Sequence, residues 1–261
     1  MASWRLLNRT WRLIGTGLSF AVFGLGGTVL GVVFFPLLLL VIRDHERRKR
    51  YARVAVNRLF KVFVYLMATL GVLRWRVSGM HTFDSSRPSL IIANHPSLID
   101  VVFLLAFFPG VNCVVKSSLW RNPSMGFTLR AAGYISNRTP LETLQDCIAG
   151  ISSGDSLILF PEGTRTTPDQ RISFSPGAAA IAVRAKCPVI PVLIACEPTT
   201  LTKGEPWYRI PERRVLITLD VQAAIETDIF TRESKNLREA TKRLNTHLEQ
   251  YFRSRVDKPC E

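Results

Sequence analysis

Ser89-Leu-Ile-Ile-Ala-Asn-His-Pro-Ser-Leu-Ile-Asp100 is the stretch that decides how the rest of the chain is read. Leu90–Ala93 is a short apolar run of the kind that forms a buried strand. Pro96 pushes the residue before it toward extended geometry, so His95 emerges at the mouth of that strand, outside regular structure. Ser97 and Asp100 then stand at capping-box spacing ahead of the apolar run Val101–Phe108. The same spacing brings the Asp100 carboxylate one turn back toward the His95 ring. A histidine held by a carboxylate is the usual way to build a general base for a hydroxyl. A turn followed by a capped helix is the plainer reading of the same residues.

A second stretch bears on the choice. Phe160-Pro161-Glu162-Gly163-Thr164-Arg165-Thr166 follows another apolar strand, Leu157–Phe160. Together, Asn94-His95-(four residues)-Asp100 and the Phe-Pro-Glu-Gly-Thr-Arg run resemble the glycerolipid acyltransferases, the family of lysophosphatidic acid acyltransferases. Gly133-Tyr134-Ile135-Ser136-Asn137-Arg138 looks like the family's second block and Val189-Ile190-Pro191-Val192 like its fourth. The resemblance runs from about Leu73 to Val221. It implies transfer of a fatty acyl group to the hydroxyl of a lysolipid acceptor. The donor is an acyl thioester of acyl-carrier protein or CoA, used as a cosubstrate with no further cofactor.

His95 is then the expected base and Asp100 its orienting acid. The substrate-binding set is Asn94, Lys116, Arg138, Glu162, Gly163, Thr164 and Arg165. Arg138 and Arg165 are expected on the acceptor's phosphate, where the planar guanidinium binds oxygens in pairs, with Lys116 joining them. Gly163 would allow a tight turn or close approach to the ligand. Glu162 would anchor Arg165 or bind a polar group of the acceptor. Backbone N–H groups near Gly163, or at the start of the helix after His95, are the candidate oxyanion donors. No G-x-S-x-G elbow is present, so direct attack by the acceptor hydroxyl is the simpler chemistry.

Three departures reduce charge around the expected acceptor pocket. Asn137 stands where an Asp is common, Thr166-Thr167 where a further basic residue is frequent, and Ser175-Pro176 where Phe-Lys often follows. They keep other acceptors open, a lyso-aminolipid or the lipid anchor of a polyene-type metabolite. A non-catalytic basic membrane scaffold and a hydrolase working through His95-activated water are the competing classes. The unusual run Lys203–Arg209 is either a wall of the acceptor pocket or a surface loop.

The 261-residue chain carries 34 Lys and Arg against 20 Asp and Glu, a net charge of +14. Such a balance calls for a polyanionic partner. No nucleic-acid-binding signature is present, and the apolar N-terminus turns the expectation to anionic membrane lipids. The five dispersed cysteines (113, 147, 187, 196 and 260) form no C-x-x-C pair and no metal-ligand spacing, so no metal is expected.

Leu13–Ile42 is free of charged residues, and about 20 such residues cross a bilayer core. Its glycines and Pro36 allow either one long tilted span or a two-helix hairpin in one leaflet. Both flanks are basic, and basic flanks stay on the cytoplasmic side. The expected location is the cytoplasmic face of an inner or cell membrane. The run Arg43–Arg53 is expected on anionic headgroups, and Val54–Leu73 as an amphipathic interfacial helix. This divides the chain into 1–73, membrane-embedded or interfacial, and 74–261, the α/β domain.

From Arg74 onward, short apolar strands alternate with helices. Strands are expected at 74–77, 90–93, 113–116, 134–136, 157–160, 189–195 and 215–221. Helices are expected at 98–108, 123–132, 141–152, 176–185 and 233–256. That pattern predicts an α/β fold, a mixed and largely parallel sheet flanked by helices. Ligands in such sheets gather at the carboxyl ends of strands, where His95, Lys116, Arg138 and Glu162–Arg165 all fall.

Overall fold

The computed structural model describes residues 2–165 and 172–256. Thr166, Thr167 and Cys260 lie outside the described residues. Seven strands form one sheet: β1 (Leu73–Ser78), β2 (Leu90–Ala93), β3 (Asn112–Val115), β4 (Ile135–Ser136), β5 (Leu157–Leu159), β6 (Val189–Glu197) and β7 (Val215–Val221). Their order is β1-β7-β6-β2-β5-β3-β4. Every pairing is parallel except β6 with β7. The expected mixed, largely parallel sheet is thus present, with β2 near its centre.

The side-chain alternation of β2 sorts the core into two layers. Ile91 and Ala93 face one layer with α3 (His45–Thr69), α4 (Asp100–Phe107) and α5 (Pro123–Ala132). Leu90 and Ile92 face the other, with α6 (Pro140–Ser152), α7 (Gly177–Ala185) and α9 (Leu237–Val256). The final helix is shorter than expected, because a separate turn, α8 (Asp228–Arg232), precedes it. The small-residue helix begins at Gly177 rather than Pro176. Ser175 does not cap it, since its hydroxyl and its N–H both donate to the Pro161 carbonyl.

The N-terminal segment is one helical rod and not a hairpin. α1 (Ala2–Val29) runs through a π-helical turn at Leu30–Phe34 into α2 (Phe35–Val41) without leaving helical geometry. The chain turns only at Ile42, whose backbone is extended, and Asp44 then caps α3 by accepting the Arg47 N–H. By length and composition, Leu6–Val41 could cross a membrane.

That rod is docked on the rest of the protein. The Trp11 indole donates to Leu70 O, and the Arg12 guanidinium donates to the carbonyls of Glu212 and Arg213. Phe20 and Phe23 pack on Phe63, with centroids 5.7 and 4.6 Å apart. Phe35 and Leu38 are buried in the same core as the sheet.

The amphipathic helix expected from Val54 begins at His45 and so includes most of the basic run. Arg53 departs from its expected place on headgroups. Its guanidinium is buried and grips both oxygens of Asp155 at 2.6 and 2.8 Å, with the carbonyls of Ala132 and Gly110 taking further donors. A helical period turns one position in three or four inward, and Arg53 stands there with Val56, Asn57 and Phe63.

Candidate active site

His95 leaves β2 in irregular backbone, as Pro96 requires. Its ring Nδ1 lies 2.9 Å from Asp100 Oδ2. An ionised carboxylate can only accept, so Nδ1 carries the proton and Nε2 keeps a lone pair. Asp100 is fully buried, and its Oδ2 also accepts the Ser97 N–H at 2.7 Å. Half of the expected capping box therefore forms. The other half does not, because the Ser97 hydroxyl donates to Thr200 O and the helix starts at Asp100. Burial pushes the Asp100 carboxyl above its ordinary value, while the donors from His95 and Ser97 pull it back.

The segment after β5 closes on the same histidine. Phe160 stacks on the His95 ring, centroids 4.1 Å apart and planes 19° from parallel. Glu162 Oε1 accepts the His95 main-chain N–H at 2.9 Å. This corrects both roles expected for Glu162: the carboxyl neither anchors Arg165 nor opens toward an acceptor, and its Oε2 is buried. Gly163 adopts φ +70°, and a Cβ there would meet nothing within 4 Å. The glycine serves the turn, and no protein atom approaches it closely. The Gly163 N–H donates to Phe160 O, and the Leu98 N–H donates to Leu201 O. Neither of these two N–H groups is free to receive an oxyanion. Thr164 is exposed beside them.

Asn94 is also redirected. Its amide donates to Ile194 O and accepts the Ile194 N–H, both at 2.8 Å, while the residue is 4 % exposed. The side chain imitates a strand and ties the end of β2 to β6, so it is spent on the sheet and not on a substrate. Arg165 donates through Nη1 to the carbonyls of Leu201 and Thr202. Its remaining donors have no partner among the described residues, and its charge acts on Asp100.

The expected basic cluster spreads out across the sheet. Lys116 is exposed at the end of β3, two strands from β2, or about 10 Å at ordinary strand spacing. Arg138 follows β4, the outermost strand, about 14 Å from β2 on the same spacing. Its side chain is exposed and lies 3.7 and 3.9 Å from the carboxylates of Glu142 and Asp146. The structure sets Arg165 against the loop after β6, where its charge acts on Asp100, and leaves Arg138 at the sheet edge. Asn137, read as a departure, bridges two loops by accepting the Ser117 N–H.

The segment after β6 carried no recognised motif, yet it organises the site. Leu201 holds the left-handed φ +54°, rare for a branched residue, and its carbonyl accepts both Leu98 and Arg165. Only the unusual Lys203–Arg209 run signalled this loop. Trp207 of that run, with Ile99, Leu201, Val72, Thr16 and Arg12, lines an apolar cleft between α1 and the base turn.

Burial raises the Glu162 carboxyl to about 7. An acid with a raised pKa supports the fold while protonated. Its contribution is complete below the ordinary value of 4.5 and is lost as pH rises through about 7. Glu162→Gln, which cannot ionise, is therefore expected to raise the thermal midpoint relative to wild type at pH 8 and to change it least near pH 4. Calorimetry at the two values checks this, and equal shifts at both would remove the titration from the account.

Residues 74–195 match the protein-family model described as Acyltransferase. A chloroplastic 1-acyl-sn-glycerol-3-phosphate acyltransferase of Brassica napus is 26% identical over 176 residues, 64% of this chain and 51% of that protein. The 1-acyl-sn-glycerol-3-phosphate acyltransferase of Saccharomyces cerevisiae is 28% identical over 212 residues, 78% of this chain and 67% of its own length. The chain spans about half the length of the first curated relatives it matches. Among solved structures, the 1-acyl-sn-glycerophosphate acyltransferase PlsC of Thermotoga maritima has the same fold. Its TM-score is 0.68 at 22% identity, covering 96% of this chain and 100% of that one.

Proposed function

We propose that this chain, whose residues 74–195 belong to the acyltransferase family, moves a fatty acyl group from a thioester to the hydroxyl of a lysophospholipid such as 1-acylglycerol-3-phosphate. The observation that carries the reading is the buried Asp100 on His95 Nδ1, which leaves Nε2 as the open ring nitrogen. As the acceptor hydroxyl attacks the thioester carbonyl, His95 Nε2 takes its proton. The tetrahedral adduct collapses, the carbon–sulfur bond breaks, and the imidazolium returns the proton to the departing thiol. Asp100 stabilises the imidazolium and fixes its tautomer. The thioester of acyl-carrier protein or CoA is the donor class.

The N-terminal rod supports work at a membrane surface. Its polar residues Arg12, Thr16 and Ser19 face the protein, while Leu18, Val22, Leu25 and Val29 are exposed. On this reading the rod lies in one leaflet with its apolar side in lipid, and the exposed Arg47, Arg50, Arg58 and Lys61 of α3 meet anionic headgroups. The catalytic domain faces the cytoplasm.

Purified protein, a mixed lysolipid pool and acyl thioester test the activity by mass spectrometry of the product. A diacyl phospholipid is the expected product. Free fatty acid alone, formed without an acceptor, would make the chain a hydrolase. An acylated lyso-aminolipid would keep the chemistry and change the acceptor.

Arg165 is expected to act on acceptor binding more than on the chemical step. Losing one charge-assisted contact to phosphate costs on the order of 1.5–3 kcal/mol, so Arg165→Ala should raise the acceptor KM with a smaller change in kcat. Lysine should recover little, because one ammonium cannot hold the Leu201 and Thr202 carbonyls and still reach the phosphate as a fork does. Steady-state kinetics with acceptor and donor varied separately decide it. A defect confined to the donor constant would place the arginine on the thioester carrier.

A further inference from the structure

We infer that Glu162 and Phe160 form a positioning clamp on His95, with Glu162 acting through the His95 main-chain N–H and not on the substrate. The inference rests on His95 being the base of the acyl transfer proposed above.

His95 sits on a turn with no secondary structure of its own. A base there must be stopped in three ways, at the ring's far nitrogen, at the ring plane and at the backbone. Asp100 supplies the first through Nδ1. Phe160 supplies the second by stacking. Glu162 supplies the third.

The sheet explains why Glu162 reaches that N–H. β2 and β5 pair in parallel with Leu90 opposite Leu157 and Ile92 opposite Leu159, an offset of 67 residues. His95 and Glu162 are also 67 apart. The paired ladder ends at Ile92 and Leu159 and the chain turns after β5, so a carboxyl oxygen, not a main-chain carbonyl, is the acceptor there. The same substitution occurs where the pair begins, with the Ser89 N–H donating to Ser156 Oγ at the same offset. A side-chain acceptor holds the N–H of the residue bearing the base after the ladder itself has stopped.

The clamp is braced in turn. The Gly163 N–H closes the turn on Phe160 O, and the Ser175 N–H and hydroxyl both hold Pro161 O. Glu162 Oε2 is buried and has no partner among the described residues, so the carboxyl does not present an oxygen to the acceptor. The groups that face it are His95 and Asp100, and Arg165 pairs elsewhere. Its raised pKa fits a group that works as a hydrogen-bond acceptor in either protonation state. A glutamine carbonyl can do the same.

The test compares Glu162→Gln, Glu162→Ala and Phe160→Leu in the full-length protein. Ring-15N histidine NMR reads His95 without turnover, its signal assigned by its loss in His95→Ala. The clamp predicts one Nδ1-protonated signal in wild type and in Glu162→Gln, and a broadened or split signal in Glu162→Ala. In the transfer assay, Glu162→Ala should lower kcat about 30-fold with the acceptor KM within about threefold, and Gln should return to within about threefold of wild type. Should the alanine variant not fold, Phe160→Leu carries the contrast. It keeps volume but loses the flat face, so it should broaden the signal and lower kcat about tenfold at unchanged KM. An unaltered His95 signal in the folded variants overturns the clamp. A tenfold rise in acceptor KM with kcat kept also overturns it, since Glu162 would then touch the substrate. So does a glutamine variant no better than alanine. If the NMR contrast holds while wild-type protein transfers no acyl group, the acyl-transfer reading falls and the clamp stands.

Discussion

His95→Ala is expected to lower the turnover of acyl thioester and lysophospholipid by about 10²–10⁴-fold, the ordinary contribution of a general base. The loss should fall on kcat, because the imidazole acts on the proton in flight and does not bind the acceptor before it reacts. The fold should survive, since the His95 side chain is 18% exposed and its removal leaves Asp100 with the Ser97 N–H. Asp100→Asn is expected to be nearly as damaging. Asp100 Oδ2 accepts two donors at once, from the His95 ring and the Ser97 N–H. An amide oxygen can take the place of Oδ2 on both donors, but its NH₂ is then buried where Oδ1 has no partner among the described residues, and the charge that stabilises the imidazolium is gone. Circular dichroism and steady-state rates for both variants decide the point. Retention of most of the activity by both, in folded protein, would remove His95 from the proton transfer.

The second large effect concerns the N-terminal rod. Read as an anchor, Met1–Ile42 should be removable with the α/β domain left folded. The packing leads to the opposite expectation. Deletion uncovers Phe63, Val64, Met67 and Val72, all buried beneath the rod or beside it. It also removes Phe20, Phe23, Phe35 and Leu38 from the core and its margin. Four large apolar side chains at about 1.5–3 kcal/mol each amount to on the order of 6–12 kcal/mol. That is comparable with the whole stability of a domain, about 5–15 kcal/mol. The truncated protein is expected to lose cooperative unfolding and activity together. Leu18→Asp with Leu25→Asp separates anchoring from folding, because both side chains are exposed. That pair should reduce flotation with vesicles of phosphatidylethanolamine and phosphatidylglycerol while the thermal transition stays in place. A truncated protein that melts cooperatively and keeps its rate would show the rod to be an anchor and nothing more.

What was legible in the sequence was local. The limits of β2 and β7 were readable to the residue, because four and seven residues of uniform or alternating apolar character have one reading between turn signals. The approach of Asp100 to His95 was readable because it spans five positions and Pro96 restricts the backbone between them. The strand-end placement of Lys116, Arg138 and Arg165 was readable for the same reason.

The tertiary structure decided everything that depends on strand order. Arg138 and Arg165 look equivalent along the chain, yet β4 is the sheet's edge while β5 adjoins β2, so one arginine meets exposed carboxylates and the other holds the Leu201 loop with its charge acting on Asp100. Asn94 and Glu162 belong to motifs that read as substrate ligands. Their partners, Ile194 and the His95 N–H, lie 100 and 67 residues away and are brought near only by the pairing of β2 with β6 and β5. Arg53 was one cation among several until the packing of α3 turned it onto Asp155, 102 residues distant. Hydrophobic periodicity specifies which residues are inside. It does not specify which buried polar group meets which, because that choice is made when the sheet closes and every desolvated donor must find an acceptor.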